Sequence, residues 1–307
     1  MNKPFIIGSR DSALAQWQAR QVQTNLKQSV LQTNIKWIKS IGDLVQNQPL
    51  HTIGTVGVFT KALDDALLNN EIDMAVHSCK DLPSQLHPEL RICAYLPRED
   101  SADVIVGNGR LDFLSDSEFS GTIATGSVRR KAQILAKFPK ATVVGLRGNV
   151  PTRLQKLKES NWHGAVFALA GLKRLSLSPT FLQKAEFMVP APAQGVVAIV
   201  CRKNDERVVK ACQTINHRST EVTTNIERKF LRLMEGGCIS PIGAHAVIRG
   251  EHVEVSISVL HTDGTEKIEF SNTYSSSAVE HIADDMFEKA KQKGAVTLIE
   301  KIERSNA

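Results

Sequence analysis

The sequence predicts an α/β protein in its first two thirds, followed by a small α+β domain with a three-stranded antiparallel sheet. Three observations carry this. Short apolar runs alternate with helix-patterned stretches from Phe5 to about Cys212. A Pro- and Gly-marked segment, Val189-Pro190-Ala191-Pro192-Ala193-Gln194-Gly195, interrupts that alternation before a further buried run at Val196–Val200. After about residue 218 the pattern changes to strands of alternating polarity separated by glycine turns. Strand-helix alternation argues a mostly parallel sheet, and hairpin signals argue antiparallel pairing.

The elements follow in order. Phe5-Ile6-Ile7 is a short strand, and Ser12 is placed to cap a helix carrying Leu14, Trp17, Val22 and Leu26. Ile35-Trp37-Ile38 is a second strand candidate, and Phe59 to Leu68 is helical in pattern. Asp73–Val76 reads as a buried strand ending in the polar turn His77-Ser78-Cys79-Lys80-Asp81. A second unit begins after Asp100, with strands at Asp103–Val106, Thr142–Val144 and Ala165–Ala168 and helices after Ser127 and Asn149. Pro151 suits the first turn of the latter, where its missing N–H costs nothing. The run Val196–Val200 is placed to return to the first sheet. The last part holds a helix near Thr220–Met234, strands at Ala244–Ile248, Val253–Leu260 and Lys267–Tyr274, and an amphipathic helix with Ile282, Met286 and Ala290 on one face. Arg249-Gly250-Glu251 and Asp263-Gly264 suit the hairpin turns. The expected domains are 1–97 with 196–215, then 101–190, then 218–307.

The 307 residues include 38 Lys or Arg and 32 Asp or Glu, a formal charge of +6. That charge is localised. Between Gly121 and Pro190 twelve basic residues face only Glu159 and Glu186, a local +10 that leaves −4 elsewhere. Solvated helix faces explain many such runs, but one domain this basic also suits an anionic partner. No apolar run reaches the roughly 18 residues that span a bilayer. Met1 leads almost directly into Phe5-Ile6-Ile7, so a cytoplasmic protein without a signal peptide is expected. Five cysteines without a C-x-x-C pair, and histidines without ligand spacing near them, point to reduced thiols and no metal site.

Among candidate chemical residues, Asp81 lies just past the carboxyl end of a predicted strand, where open α/β sheets place ligands. Its carboxylate would guide a proton or stabilise a cation there; a turn or capping aspartate is the equal alternative. Arg10, Arg129, Arg130 and Arg147 fall at strand-to-helix turns and Arg153 one helical turn on, where guanidinium forks and backbone N–H groups both meet anions. Cys238 follows Gly236-Gly237. Free cysteines are more often buried than reactive, and Cys79, Cys93, Cys201 and Cys212 all sit in apolar patterns.

The motifs in one order resemble a known family. They are Ser9-Arg10-Asp11-Ser12-Ala13-Leu14-Ala15, Phe59-Thr60-Lys61, His77-Ser78-Cys79-Lys80-Asp81-Leu82-Pro83, Ser127-Val128-Arg129-Arg130, Leu146-Arg147-Gly148-Asn149-Val150, Ala170-Gly171-Leu172-Lys173-Arg174-Leu175 and Glu235-Gly236-Gly237-Cys238. From Ile7 to about Gly243 the chain resembles the porphobilinogen deaminase (hydroxymethylbilane synthase) family, with a looser match beyond. The resemblance implies two periplasmic-binding-protein-like α/β domains with a cleft between them and a small third domain. It implies a dipyrromethane cofactor thioether-linked to Cys238 and contacted by Lys80, Ser127, Arg129 and Arg130. It places the catalytic aspartate at Asp81 and substrate contacts at Arg10, Phe59, Arg147, Arg153 and Arg174. The implied reaction joins four porphobilinogens head to tail with loss of ammonia, then hydrolyses the chain to hydroxymethylbilane. The implied protein is a monomer that binds neither nucleic acid nor membrane.

The sequence departs from the family pattern at Thr55-Val56-Gly57-Val58, where a loop lysine is usual, at Ala62 for glutamate, at Gly126 for serine, and at Pro192-Ala193 for Val-Gly. Two other classes fit the residues less well. A binding module for a small anion would have no use for Cys238 on a third domain. Nucleic-acid binding lacks support, because the basic segment holds few aromatics and no RNP, KH or helix-turn-helix pattern.

Overall fold

The computed structural model describes residues 3–29, 31–39, 60–234 and 240–306. In chain order the elements are β1 (Phe5–Ser9), α1 (Ala13–Gln28), β2 (Thr33–Trp37), α2 (Lys61–Leu68), β3 (Met74–Ser78), β4 (Leu90–Tyr95), β5 (Asp103–Gly107), β6 (Thr122–Ala124), α3 (Val128–Lys137), β7 (Thr142–Val144), α4 (Val150–Lys158), β8 (Gly164–Ala168), α5 (Leu169–Arg174), β9 (Leu182–Lys184) and β10 (Val197–Arg202). They continue with α6 (Glu206–Gln213), α7 (Arg218–Leu233), β11 (Ile242–Arg249), β12 (His252–Leu260), β13 (Lys267–Ser275), α8 (Ile282–Gln292) and α9 (Ala295–Asn306). The chain divides into two units, residues 1–99 with 195–222 and residues 100–194 with 223–307.

The first unit is built on a sheet of order β2-β1-β3-β10-β4. Strands β1, β2 and β3 run parallel, while β10 is antiparallel to both β3 and β4. The sheet is therefore mixed rather than simply parallel, because the returning strand enters from the opposite end. Ser12 caps α1 by accepting from the Ala15 N–H, as its position predicts. The helix then presents Ala19, Val22 and Leu26 to Ile7, Met74 and Val76 of the sheet, and α6 adds Val208 and Cys212 to the same core. On β1, a Cβ at Gly8 would lie 2.3 Å from the Ile72 side chain and 3.2 Å from Leu63, so glycine lets the α2 region close onto the strand. Strand β4 lies outside the sequence expectations, since Arg91 interrupts its short apolar run; a bulge shifts its register against β10.

The second unit repeats the plan, with order β7-β6-β8-β5-β9. Here β6 is parallel to β7 and β8, and β5 is antiparallel to β8 and β9. One core gathers Phe119, Ile134, Phe138 and Ile123, and another gathers Leu146, Leu157, Phe167 and Leu172. Ser127 caps α3 and Asn149 caps α4, with Pro151 in the first turn of α4. The three-stranded antiparallel sheet β11-β12-β13 belongs to this unit. Its predicted turns carry Gly250 and Gly264 at φ +58° and +78°. At Gly264 a Cβ would lie 2.4 Å from the Ala136 backbone, so that turn docks on α3. Val253, Val255, Ile257 and Val259 of β12 are buried, and α8 and α9 lie against β13 and β12. Helix α9 was not anticipated.

Candidate active site

In the first unit the parallel strands β1 and β3 end side by side. Arg10 follows β1 directly, and the loop after β3 carries Lys80 and Asp81. The expected polar turn is shorter than the sequence suggests. His77 and Ser78 belong to β3, opposite Ala198 and Val197 of β10, and only Cys79–Asp81 remains outside the strand, as one 3-10 turn. The strand extends because β10 offers a ladder of partners that outweighs the polar side chains. Cys79 is fully buried, so the turn is pinned to the core while Asp81 is exposed.

Arg10 and Asp81 line one cavity of about 70 Å³, together with Ser12, Gln18, His77 and Ser78. Gln18 reaches across from α1 and donates from Nε2 to Ser78 Oγ at 2.8 Å, tying helix to strand at the rim. His77 is buried, and its Nε2 has no hydrogen-bond partner among the described residues. Burial first, and then the Arg10 charge, pull its pKa down from 6.5 to about 4, so the imidazole is neutral at physiological pH. On α2, burial pushes the Asp64 carboxyl up to about 6 against the opposing hydrogen bond from Thr60, a cavity residue.

In the second unit the carboxyl ends of β7, β6 and β8 bring the remaining candidates to one sheet edge. The turn after β6 holds Ser127 with Arg129 and Arg130 on the first turn of α3. The turn after β7 holds Arg147 and leads to Arg153 on α4, and α5 after β8 carries Arg174. The first two turns touch. A Cβ at Gly126 would sit 2.5 Å from the Leu146 carbonyl oxygen, so a side chain there would require the two turns to move apart. Arg153 donates from Nε to the Gly148 carbonyl at 2.7 Å and Lys156 donates from Nζ to the Arg147 carbonyl at 3.2 Å, fixing the second turn from within.

Arg129 and Arg130 are not surface residues. They are 5% and 6% exposed and converge on Asp103, itself 1% exposed. Arg130 donates to Asp103 Oδ1 from Nε at 3.0 Å and from Nη2 at 2.7 Å, and to the Val166 carbonyl at 3.0 Å. Arg129 Nη1 lies 2.8 Å from Asp103 Oδ2 and donates to the Val189 carbonyl at 2.7 Å. Gln194 completes the set, donating to Asp103 Oδ1 at 2.8 Å. Although burial opposes ionisation of Asp103, the two guanidiniums outweigh it and hold the carboxyl well below the usual range. Asp103 and Gln194 escaped the sequence reading. The available signal was an acid opening an otherwise apolar strand, which has to be paired if buried.

The structure thus brings Arg10 and Asp81 together on one cavity, and gathers Ser127, Arg129, Arg130, Arg147, Arg153 and Arg174 at the other sheet's edge. Phe59 and Cys238 lie outside the described residues. Among the described residues no group of three or more His, Cys, Asp or Glu is arranged to hold a metal ion, and no helix is long and apolar enough to cross a membrane.

Comparison with known proteins agrees with these motifs. Residues 5–210 match the family model described as porphobilinogen deaminase, dipyromethane cofactor binding domain, and residues 222–292 match porphobilinogen deaminase, C-terminal domain. A porphobilinogen deaminase of Syntrophomonas wolfei is 37% identical over 297 residues, covering 95% of this chain and 97% of that protein. A probable porphobilinogen deaminase of Methanocaldococcus jannaschii is 42% identical over 260 residues, covering 84% and 88%. The chloroplastic porphobilinogen deaminase of Oryza sativa is 40% identical over 248 residues, covering 78% and 69%. Among solved structures, an ancestral cationic amino acid solute binding protein covers 74% of this chain and 94% of its own at 10% identity and a TM-score of 0.44. That superposition is partial, and the fold is read from the sheet topology itself. With both domain models matched and the Syntrophomonas wolfei relative aligned along 97% of its length, the chain belongs to the porphobilinogen deaminase family, enzymes of tetrapyrrole biosynthesis with a dipyrromethane-binding domain.

Proposed function

We propose that this enzyme joins four porphobilinogen molecules head to tail, releasing one ammonia at each addition, and hydrolyses the product to linear hydroxymethylbilane. The observation that carries the residue assignment is the cavity shared by Arg10 and Asp81. At about 70 Å³ it has room for a substituent of porphobilinogen rather than the whole ring. Arg10, with the Ser12 and Ser78 hydroxyls, offers a carboxylate both charge and hydrogen bonds. Asp81 offers the opposite charge to the cationic aminomethyl group and to the positively charged pyrrole formed when ammonia leaves. A neutral His77 beneath them adds no competing positive charge. Arg147, Arg153 and Arg174 serve as further substrate carboxylate contacts, with Phe59 packing against the rings.

The donors at the β6–α3 turn fit the dipyrromethane named by the family model, whose carboxylates suit guanidinium, hydroxyl and helix N-terminal N–H groups. Ser127, Arg129 and Arg130, with Lys80, would hold it, and Cys238 would carry its thioether. When bound, dipyrromethane supplies the pyrrole carbon to which the first substrate is joined. The family's three-domain division, 1–97 with 196–215, 101–190 and 218–307, fits the three sheets. We assign a cytoplasmic compartment, in keeping with the absence of disulfides among the described cysteines, and a monomeric state.

Two measurements test this reading. The intact mass of the purified protein should exceed the sequence mass by one dipyrromethane, located on the peptide containing Cys238; an active protein of unmodified mass would overturn the attachment. Asp81→Ala should fold as the parent does yet consume porphobilinogen at under a hundredth of its rate. Near-normal turnover would remove Asp81 from its role.

A further inference from the structure

Two arginines open helix α3, where the helix dipole already places about half a positive charge. Neighbouring guanidiniums at that end repel each other and the dipole, and both are buried. Such an arrangement persists only if something neutralises and orients it. Asp103 meets both requirements. Its Oδ1 receives two N–H groups of Arg130 and one of Gln194, while its Oδ2 lies against Arg129 Nη1. Carbonyls of Val166 and Val189 hold the two forks on another side. The Val189 backbone is itself clamped by Gln133, which accepts from its N–H at 2.7 Å and donates to its carbonyl at 3.1 Å. Each arginine is thereby fixed by the strands β5 and β8 or by the segment leading to Gln194, rather than by its own helix.

We propose that Asp103 is a positioning residue of the deaminase site, acting through Arg129 and Arg130 to present one oriented net positive charge beside Ser127 to the carboxylates of the bound dipyrromethane. This rests on the proposed placement of that group. A single carboxylate facing two guanidiniums leaves the trio cationic, and the fork on Asp103 fixes the direction of the remaining N–H groups. An asparagine would keep the shape while leaving both guanidiniums uncompensated.

The test compares the parent with Asp103→Asn, Asp103→Glu and Arg130→Lys, each checked for fold by circular dichroism and thermal melting. The readout is the fraction of purified protein carrying the dipyrromethane mass, measured before any assay, followed by kcat and KM of the loaded fraction. Folded D103N should load at least tenfold less than the parent, and D103E should recover part of that loss. R130K, which keeps the charge but not the fork, should melt below the parent and, where folded, should also load poorly. If D103N does not fold, R130K decides the matter. Parent-level loading in folded D103N, or in R130K where D103N does not fold, overturns the proposal while leaving the parent's loading and the proposed function intact. A parent that carries no dipyrromethane refutes the cofactor placement itself, and this proposal with it.

Discussion

The neutral histidine in the cavity has a consequence for stability that can be measured directly. His77 titrates near 6.5 in an unfolded chain and near 4 when folded, because burial and Arg10 disfavour its cation. As pH falls below 6.5 the unfolded chain takes up a proton that the folded one refuses until about pH 4. Stability present above 6.5 is therefore drained across that window and falls no further below it. At about 1.4 kcal/mol per pH unit, the drain totals about 3 kcal/mol. Asp64 acts in the opposite sense. Its carboxyl titrates near 6 when folded and near 3.8 when unfolded, so it favours the fold at low pH and loses that contribution as pH rises through 6. Water reaches part of this group, so its contribution is the smaller. The Asp64 contribution offsets part of the His77 one in the parent, and substitution separates them. Urea unfolding at pH 7.5 and pH 4.5 should show Asp64→Asn losing more stability on acidification than the parent. His77→Gln should lose less, by up to about 3 kcal/mol. Carboxylates common to all three proteins cancel in the comparison. If parent, D64N and H77Q share one pH dependence, the assignment of His77 as a buried neutral imidazole is wrong.

Other substitutions report on the frame around the site. Gly126→Ser, which restores the residue common in the family, should cost about 1–3 kcal/mol in chemical denaturation, since its Cβ meets the Leu146 carbonyl at 2.5 Å. Unchanged stability would show that the two turns yield freely. Ala193 has φ +62° in place of the family's usual glycine, and Ala193→Gly should raise stability by about 0.5–1 kcal/mol as the left-handed strain exceeds the added chain entropy. A lower melting temperature would contradict that balance. Glu227, fully buried, accepts from the N–H groups of Ala193 at 2.6 Å and Ala246 at 2.7 Å. Glu227→Ala leaves two buried donors without their acceptor and should cost about 2–5 kcal/mol, read as a lower urea midpoint.

The strand-helix order was legible in the sequence because local rules govern it. Ser12, Ser127 and Asn149 cap the helices that follow them, and Gly250 and Gly264 turn the hairpins of the last sheet. The site motifs were legible for a related reason. Those of the described residues follow β1, β3, β6, β7 and β8, at the carboxyl ends of parallel strands, where a short turn must place its side chains beside those of its neighbours. What the pattern did not reveal comes from partners distant along the chain. β10 draws His77 and Ser78 into β3 from well over a hundred residues away, and β4 owes its place to the same strand despite Arg91. Asp103 looked like the first residue of a strand until the fold placed two guanidiniums and Gln194 around it. The same closure buries Arg129 and Arg130, whose place at a strand-to-helix turn does not by itself reveal their exposure.

Composition and motif order by themselves determined that this is an α/β protein with a basic second unit, and which residue types stand at its turns. Tertiary structure alone decided the electrostatic state of those residues: which histidine stays neutral, which aspartate stays charged, and which arginines are held rigid. The reason is physical. Helix caps and turns depend on a few neighbouring residues, whereas desolvation and charge pairing depend on everything the fold brings within a few ångströms.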